Sequence, residues 1–283
     1  MEKNMLEGLI IAGGAALLAS RLYLDNTLVE VSKYEIKSNK IPKEFNKYKI
    51  VQLSDFHSYG FKRDNLKLID KIYEEAPDII VITGDMVNKY DKKFEKFLNI
   101  AEILSKKYKI YFIVGNHEIR LNKKDLEYIL NKLKGFGIKI LKDEKITIAR
   151  KNGHINIYGL NIPLSYYKII NRPANVGEVV SKVLKGCKQE EFNILLAHNP
   201  LFFEEYSKHN IDLTLSGHVH GGMIRLPLIG AILSPERKFF PKYSGGIYEI
   251  NNKKLVVSRG LGHSKRGIRL FNKRDLVSIT LYS

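Results

Sequence analysis

The sequence predicts an α/β fold, on three observations. Short apolar runs at residues 48–54, 78–83 and 109–114 alternate with stretches whose apolar side chains recur at helical spacing. Those runs are apolar at nearly every position, as strands buried on both faces of a parallel sheet must be. Each run also closes on a small polar cluster: Asp55-Phe56-His57, Gly84-Asp85 and Gly115-Asn116-His117. Parallel sheets carry their ligand sites at the carboxyl ends of their strands.

The elements follow in order. Residues 25–47 are polar with some alternation (Leu28, Val31, Tyr34, Ile36), which reads as a leading strand and a linker through Pro42. Strand 48–54 precedes a helix over 64–76, with Leu66, Ile69, Ile72 and Tyr73 on one face, Asp64 placed to cap it and Pro77 closing it. The unit repeats as strand 78–83 with helix 92–107, then strand 109–114 with helix 122–134. From Ile138 the rhythm changes. Residues 140–141, 145–149 and 155–160 read as short strands, with a hairpin turning at Asn152-Gly153. Arg172-Pro173 opens a helix to about Lys185, and residues 192–197 form a strand ending in His198. A short helix reaches Tyr206, and 211–216 lead into Gly217-His218-Val219-His220. Residues 222–243 read as an irregular basic and aromatic loop, and strands over 246–249, 255–258 and 276–281 complete the chain.

A chain of 283 residues suits one catalytic domain with extensions. The expected division is an N-terminal anchor over 1–24, a linker and leading strand over 25–47, and a catalytic domain over 48–283. Residues 8–20 carry no charge between Glu7 and Arg21. As a helix they reach only about 20 Å, short of the ~30 Å hydrocarbon core, and Met5, Leu6, Leu22, Tyr23 and Leu24 extend them. A thin basic start and no small-residue cleavage pattern before Arg21 favour an uncleaved membrane anchor over a secretory signal. The chain is therefore expected at the cell membrane, with flanking charges too balanced to set its orientation.

Lys and Arg number 47 against 30 Asp and Glu, a net charge of +17. That suits an anionic partner such as phosphate esters, the acidic lipid headgroups of an anionic membrane surface or nucleic acid. Most of it nonetheless reads as solvated surface lysine, in pairs such as Lys92-Lys93 and Lys106-Lys107. No basic run is interleaved with aromatics as a single-strand nucleic-acid groove requires. The single cysteine, Cys187, excludes a disulfide framework and a thiolate metal site, so any metal must be held by nitrogen and oxygen.

Five strand ends together present Asp55, His57, Asp85, Asn116, His117, His198, His218 and His220. Singly, each is an ordinary polar residue at a strand end; at one rim they are a donor set. His218 and His220, two apart in an extended segment, would aim at one point. Two carboxylates, one amide and at least four imidazoles exceed the needs of one ion. They suit two divalent cations ~3.5–4 Å apart that share a carboxylate. Asp85 is the expected bridge, because Gly84 leaves room for both ions, and a hydroxide between them would attack phosphorus. Oxygen and nitrogen donors without sulfur suit Mn, Fe or Zn. Arg225, Arg259 and His263 are candidates for contact with substrate phosphate. His154 and His209 read as solvated, and Phe239-Phe240 as a plug in a core or lid.

The blocks Ser54-Asp55-Phe56-His57, Gly84-Asp85, Gly115-Asn116-His117-Glu118, His198 and Gly217-His218-Val219-His220 resemble those of the calcineurin-like metallophosphoesterases, from about Tyr48 onward. Gly221-Gly222-Met223-Ile224-Arg225-Leu226-Pro227 and Ser258-Arg259-Gly260-Leu261-Gly262 are similar to segments of the membrane-associated bacterial branch. That branch includes peripheral UDP-diacylglucosamine hydrolases and cell-wall-associated phosphodiesterases. The resemblance implies a four-layer αββα sandwich of two mixed sheets, and hydrolysis of a phosphoric ester or pyrophosphate in a small-molecule or lipid-linked substrate by a monomer. It implies that Asp55, His57, Asp85 and His220 hold one ion and that Asp85, Asn116, His198 and His218 hold the other. His117 would face the substrate as the catalytic donor. Met223 replaces a usual Gln, Ser58-Tyr59 a usual Leu-Gly, and Asn272-Lys273-Arg274 a Pro-Glu pair; none is expected to touch a ligand. Two rival functions remain in view, a metal-dead scaffold and a nuclease. The intact ligand set opposes the first and an anchored chain the second.

Overall fold

Residues 2–57, 65–167, 175–226, 229–234, 239–262 and 269–283 are described by the structure, a computed structural model. Asp64, Ser58-Tyr59, Arg172-Pro173 and His263 lie outside them. The chain enters on α1 (Glu2–Thr27) and β1 (Val29–Lys37). The apolar runs then form β2 (Tyr48–Leu53), β3 (Ile79–Ile82), β4 (Lys109–Phe112) and β5 (Lys139–Ile140), all parallel. They are joined through α2 (Asn65–Glu75), α3 (Glu95–Ser105), the single turn α4 (Asn116–Ile119) and α5 (Lys123–Gly135). The Asn122 side chain caps α5 by accepting from the Asp125 amide at 2.9 Å, one of the donors a helix start leaves unpaired. On α2, Ile69 and Ile72 are buried as the spacing predicts; Leu68, outside the predicted face, is buried too, while Leu66 stays exposed.

The second half builds β6 (Lys145–Arg150), β7 (Gly153–Leu160), α6 (Gly177–Leu184), β8 (Asn193–Ala197), α7 (Phe203–Tyr206) and β9 (Leu213–Ser216). Then come β10 (Ile224–Leu226), β11 (Gly230–Leu233), β12 (Gly246–Ile250), β13 (Lys253–Val257) and β14 (Arg274–Tyr282). The hairpin between β6 and β7 turns one residue earlier than expected, on Lys151-Asn152, with Arg150 paired to Gly153. Residues 222–243 are not wholly irregular: β10 and β11 pair there as an antiparallel ribbon.

Two six-stranded sheets result, in the orders β1-β14-β2-β3-β4-β5 and β12-β13-β9-β8-β7-β6. Both are mixed. β14 runs parallel to β1 and antiparallel to β2, while β7, β8 and β9 are parallel inside a sheet with antiparallel edges. The period of two along each strand sorts the core into layers. Ile50, Val81, Ile194, Leu196, Leu215 and Ile279 meet between the two sheets. Val51, Ile80 and Ile82 face the other way, against Leu68, Ile72, Phe97, Leu104 and Leu133 of the helices. Leu195, Ala197 and Val257 cover the outer side of the second sheet with Val180, Leu184, Phe203 and Tyr206. This is the αββα sandwich, and each buried Ile or Leu stabilises it by about 1.5–3 kcal/mol. At the carboxyl ends of the strands the inner layer becomes polar. Gln52 Nε2 donates to Thr83 Oγ1 and to the Ser216 carbonyl, both at 2.9 Å, tying the two sheets together beneath the rim.

Candidate metal centre

Every polar cluster singled out in the sequence leaves the carboxyl end of a parallel strand: β2, β3 and β4 in one sheet, β8 and β9 in the other. The backbone there is unusual. Asp55, His57, Asp85, His218 and His220 all adopt left-handed conformations, with φ between 51° and 73°. Such backbone costs non-glycine residues about 1–3 kcal/mol each and persists where its surroundings over-determine it. Amide bonds do so here: Asp55 to the Gly84 carbonyl (3.0 Å), His57 to Asp85 (3.2 Å), Gly217 to His198 (3.1 Å) and Gly262 to Asp55 (2.7 Å). The extended His218-x-His220 pair expected from spacing is therefore wrong. Both residues lie in a tight turn, and they divide between two clusters instead of sharing one point.

Among the described residues, ligand-capable atoms converge in three groups, each within 4.8 Å: Asp55 with His57 and His220, His57 with Asp85 and His117, and Asp85 with His198 and His218. His57 Nε2 and His220 Nε2 stand 3.0 Å apart, His198 Nε2 lies 3.2 Å from Asp85 Oδ2, and His220 Nε2 lies 3.4 Å from Asp55 Oδ1. Asn116 is buried at the first position of α4, and among the described residues neither its Oδ1 nor His57 Nδ1 has a hydrogen-bond partner. Buried polar atoms are ordinarily paired, so these unpartnered atoms among facing carboxylates and imidazoles fit a cation site.

The electrostatics agree. Burial pushes the His57 imidazole down to about 3 and lowers His220 and His117, keeping all three neutral. Burial opposes charge on His198 too, but the facing Asp85 carboxylate outweighs it and raises that imidazole to about 10. The same contact holds the Asp85 carboxyl well below its usual range against its own burial. His198 Nδ1 bonds the Thr83 carbonyl at 2.7 Å, which turns Nε2 toward Asp85. The Lys89 amide donates to His117 Nδ1 at 3.2 Å, so the hydrogen of the neutral ring sits on Nε2.

Several supporting residues had no assigned role in the sequence. Glu118 Oε1 and Oε2 accept from the amides of Asp85, Met86, Val87 and Gly115, holding the Asp85 loop against the Asn116 loop. Its place in the Gly-Asn-His-Glu block was the available signal. Tyr167 packs edge-on against His218, centroids 5.1 Å apart. Arg269 donates to the carbonyls of Arg259, Gly260 and Gly262 around the Asp55 loop. Asn272 was expected to touch no ligand, yet its Nδ2 donates to the carbonyls of His220 and Gly222, both at 2.7 Å. Gly84 has a packing role as well. A Cβ there would strike the Gly115 backbone, so the glycine permits the two loops to touch.

The other candidates have partners of their own. Arg259 pairs with Glu30 at 2.8 Å and Asp275 at 3.2 Å, so it braces β1 and β14 and is committed away from phosphate. Arg225 Nη1 reaches the Gly221 carbonyl and Ser244 Oγ, both at 3.4 Å. Phe239 and Phe240 are 72% and 65% exposed, which excludes the core plug expected of them. His154 is exposed beside Glu191, and His209 is half-buried near Ser181.

With this geometry in place, comparison with known proteins decides the family. A profile of the calcineurin-like phosphoesterases matches residues 48–222. The chain belongs to that family. It is 30% identical to the metallophosphoesterase YkuE of Bacillus subtilis (strain 168) over 289 residues, 98% of this chain and 93% of the relative. It is 27% identical to the phosphodiesterase YaeI of Escherichia coli (strain K12), over 83% of this chain and 82% of the relative. A Danio rerio transmembrane protein with a metallophosphoesterase domain is 28% identical over 89% of this chain and 57% of the relative. This calcineurin-like phosphoesterase is thus an enzyme of phosphoester hydrolysis, acting on phosphorylated substrates in a family that uses divalent metals.

Proposed function

We propose that the chain is a two-metal phosphodiesterase or pyrophosphatase working at a membrane surface. The observation that carries the two-metal reading is that Asp85 belongs to two separate groups of convergent donor atoms. One ion would be held by Asp55, His57, Asp85 and His220, the other by Asp85, Asn116, His198 and His218, with Mn, Fe or Zn suited to these donors. Bound divalent ions supply Lewis-acid polarisation of a phosphoryl oxygen and lower the pKa of water.

The chain's own residues do the rest. Asp85 is fixed by the His117 amide, which donates to its Oδ1 at 2.7 Å, and Asp55 by the His218 amide at 3.0 Å. His117 stays neutral through burial and carries its hydrogen on Nε2, so it is a donor for a phosphoryl or leaving oxygen. The Escherichia coli relative's description as a phosphodiesterase supports diester chemistry.

Membrane action has its own support. Asn4–Thr27 forms a 24-residue helix, about 36 Å long against a ~30 Å hydrocarbon core, and its most apolar stretch is not buried against the protein. A signal sequence passes the same test of length and composition, and the transmembrane Danio rerio relative favours the anchor. Ile229 at the turn of the β10–β11 ribbon, and Phe239 and Phe240 beside the far end of β11, add exposed apolar side chains. We read the protein as a monomer whose substrate is a small or lipid-linked phosphoester. The test is full-length protein with Mn, assayed side by side on a nucleotide-sugar lipid, an aryl diester and an aryl monoester. Faster turnover of the first two supports the reading, and a monoester preference overturns it.

A further inference from the structure

A pocket of about 410 Å³ opens where α1 meets the catalytic domain, lined in part by Leu24, Leu28, Lys67, Lys71 and Lys273. That volume falls within the roughly 300–1,000 Å³ typical of small-ligand sites. Its two walls differ in chemistry. Tyr23, Leu24, Leu28 and Val29 give one apolar side. Lys67 and Lys71, one turn apart on α2, and Lys273, just before β14, form the other, basic side. The acidic group of the lining, Glu30, is already matched. Its bond to Arg259 at 2.8 Å is the main cause holding its carboxyl below the usual range.

The position of the pocket is as informative as its lining. The apolar span ends at Thr27, itself a lining residue, so the end of the hydrocarbon-length segment and the mouth of the pocket coincide. The end of α1 is fixed to the domain there. Asn26 Nδ2 donates to the Arg269 carbonyl at 3.0 Å, Asp25 is fully buried, and the Arg21 guanidinium lies 4.9 Å above the Phe271 ring. A ligand of this pocket must have an anionic head beside an apolar body and must be present where a membrane helix leaves the bilayer. Inorganic phosphate meets the first condition alone.

We propose that this pocket seats the headgroup phosphate of an anionic glycerophospholipid, with its first methylenes against Leu24 and Leu28. The proposal rests on the membrane reading of α1. It adds to that reading a lipid-binding site separate from the metal centre, which would hold the catalytic domain in a fixed pose on the bilayer.

The test titrates the full-length protein in dodecyl maltoside, by calorimetry, with dioctanoyl phosphatidylglycerol, dioctanoyl phosphatidylcholine and inorganic phosphate. The wild-type chain should bind phosphatidylglycerol in preference to the other two. Each lysine removed should weaken binding about fivefold, and the triple variant Lys67→Gln/Lys71→Gln/Lys273→Gln about a hundredfold. Unchanged hydrolysis of an aryl diester shows that the triple variant is folded; should it lose that activity, Lys71→Gln alone carries the test. Equal phosphatidylglycerol binding by wild type and variant overturns the site, as does phosphatidylcholine or inorganic phosphate binding as tightly. Cell fractionation separates the two readings. A chain found in the soluble fraction defeats the anchor, whereas a membrane-bound chain without lysine dependence defeats only the pocket.

Discussion

Asn272→Ala tests whether the turn carrying His220 must be held for metal to bind. Asn272 is fully buried and gives both hydrogens of its amide to main-chain carbonyls, those of His220 and Gly222, at 2.7 Å each. Truncation leaves two buried acceptors without this donor, at about 1–3 kcal/mol each, or about 2–6 kcal/mol in all. A typical domain has only about 5–15 kcal/mol of stability, so the turn should relax before the whole chain unfolds. If about 2 kcal/mol of that cost falls on the metal-bound state, affinity for Mn should drop about thirtyfold. Asn272→Asp keeps the shape but aims a carboxylate at two carbonyls, and should do more damage than alanine. The assay is Mn titration of EDTA-stripped protein by calorimetry, beside urea unfolding of the same samples. Wild-type affinity in Asn272→Ala would refute the reasoning, whatever the unfolding curve shows.

Three other outcomes are expected. Gly217→Ala should remove activity while the fold persists, because the added Cβ would strike Ser54 Oγ and Asp55 Oδ2; an active Gly217→Ala enzyme would disprove that packing. Asp85→Asn should abolish metal-dependent hydrolysis of an aryl diester, while His117→Gln should keep metal and lose rate. Metal content and turnover of the two variants separate these roles. The His198 imidazole, raised to about 10 in the metal-free chain, should give a proton linkage of known sign. Its pairing with Asp85 stabilises the metal-free fold fully below the ordinary value of about 6.5, and that contribution is lost as pH rises toward about 10. A cation at Nε2 displaces this proton, so affinity should rise with pH across that window. Calorimetry near pH 8 in buffers of different ionisation enthalpy should show proton release, and its absence would contradict the assignment.

The parallel strands were legible because burial on both faces writes continuous apolar runs, as in Ile79-Ile80-Val81-Ile82. The second sheet was harder. Its edge strands β12 and β6 are half exposed; in the first sheet, β14 inserts between β1 and β2 from the far end of the chain, a pairing no local pattern encodes. The candidate ligands were legible as residue types at strand ends, but their backbone was not. Spacing suggested an extended His218-x-His220, whereas hydrogen bonds from distant loops hold both residues left-handed. Supporting contacts escaped for the same reason. Asn272 reaches His220 across 52 positions and Gln52 reaches Ser216 across 164, and nothing near Asn272 or Gln52 in the sequence announces its partner. Phe239-Phe240 misled because an aromatic pair reads as core by composition, and only coordinates show it exposed.

The most direct measurement of the central claim is the number of divalent ions bound per chain by EDTA-stripped full-length protein, titrated with Mn and read by calorimetry and elemental analysis. The account predicts two ions in the wild type, with the pair lost in Asp85→Asn. A single ion per chain, or two ions that survive Asp85→Asn unchanged, would contradict it.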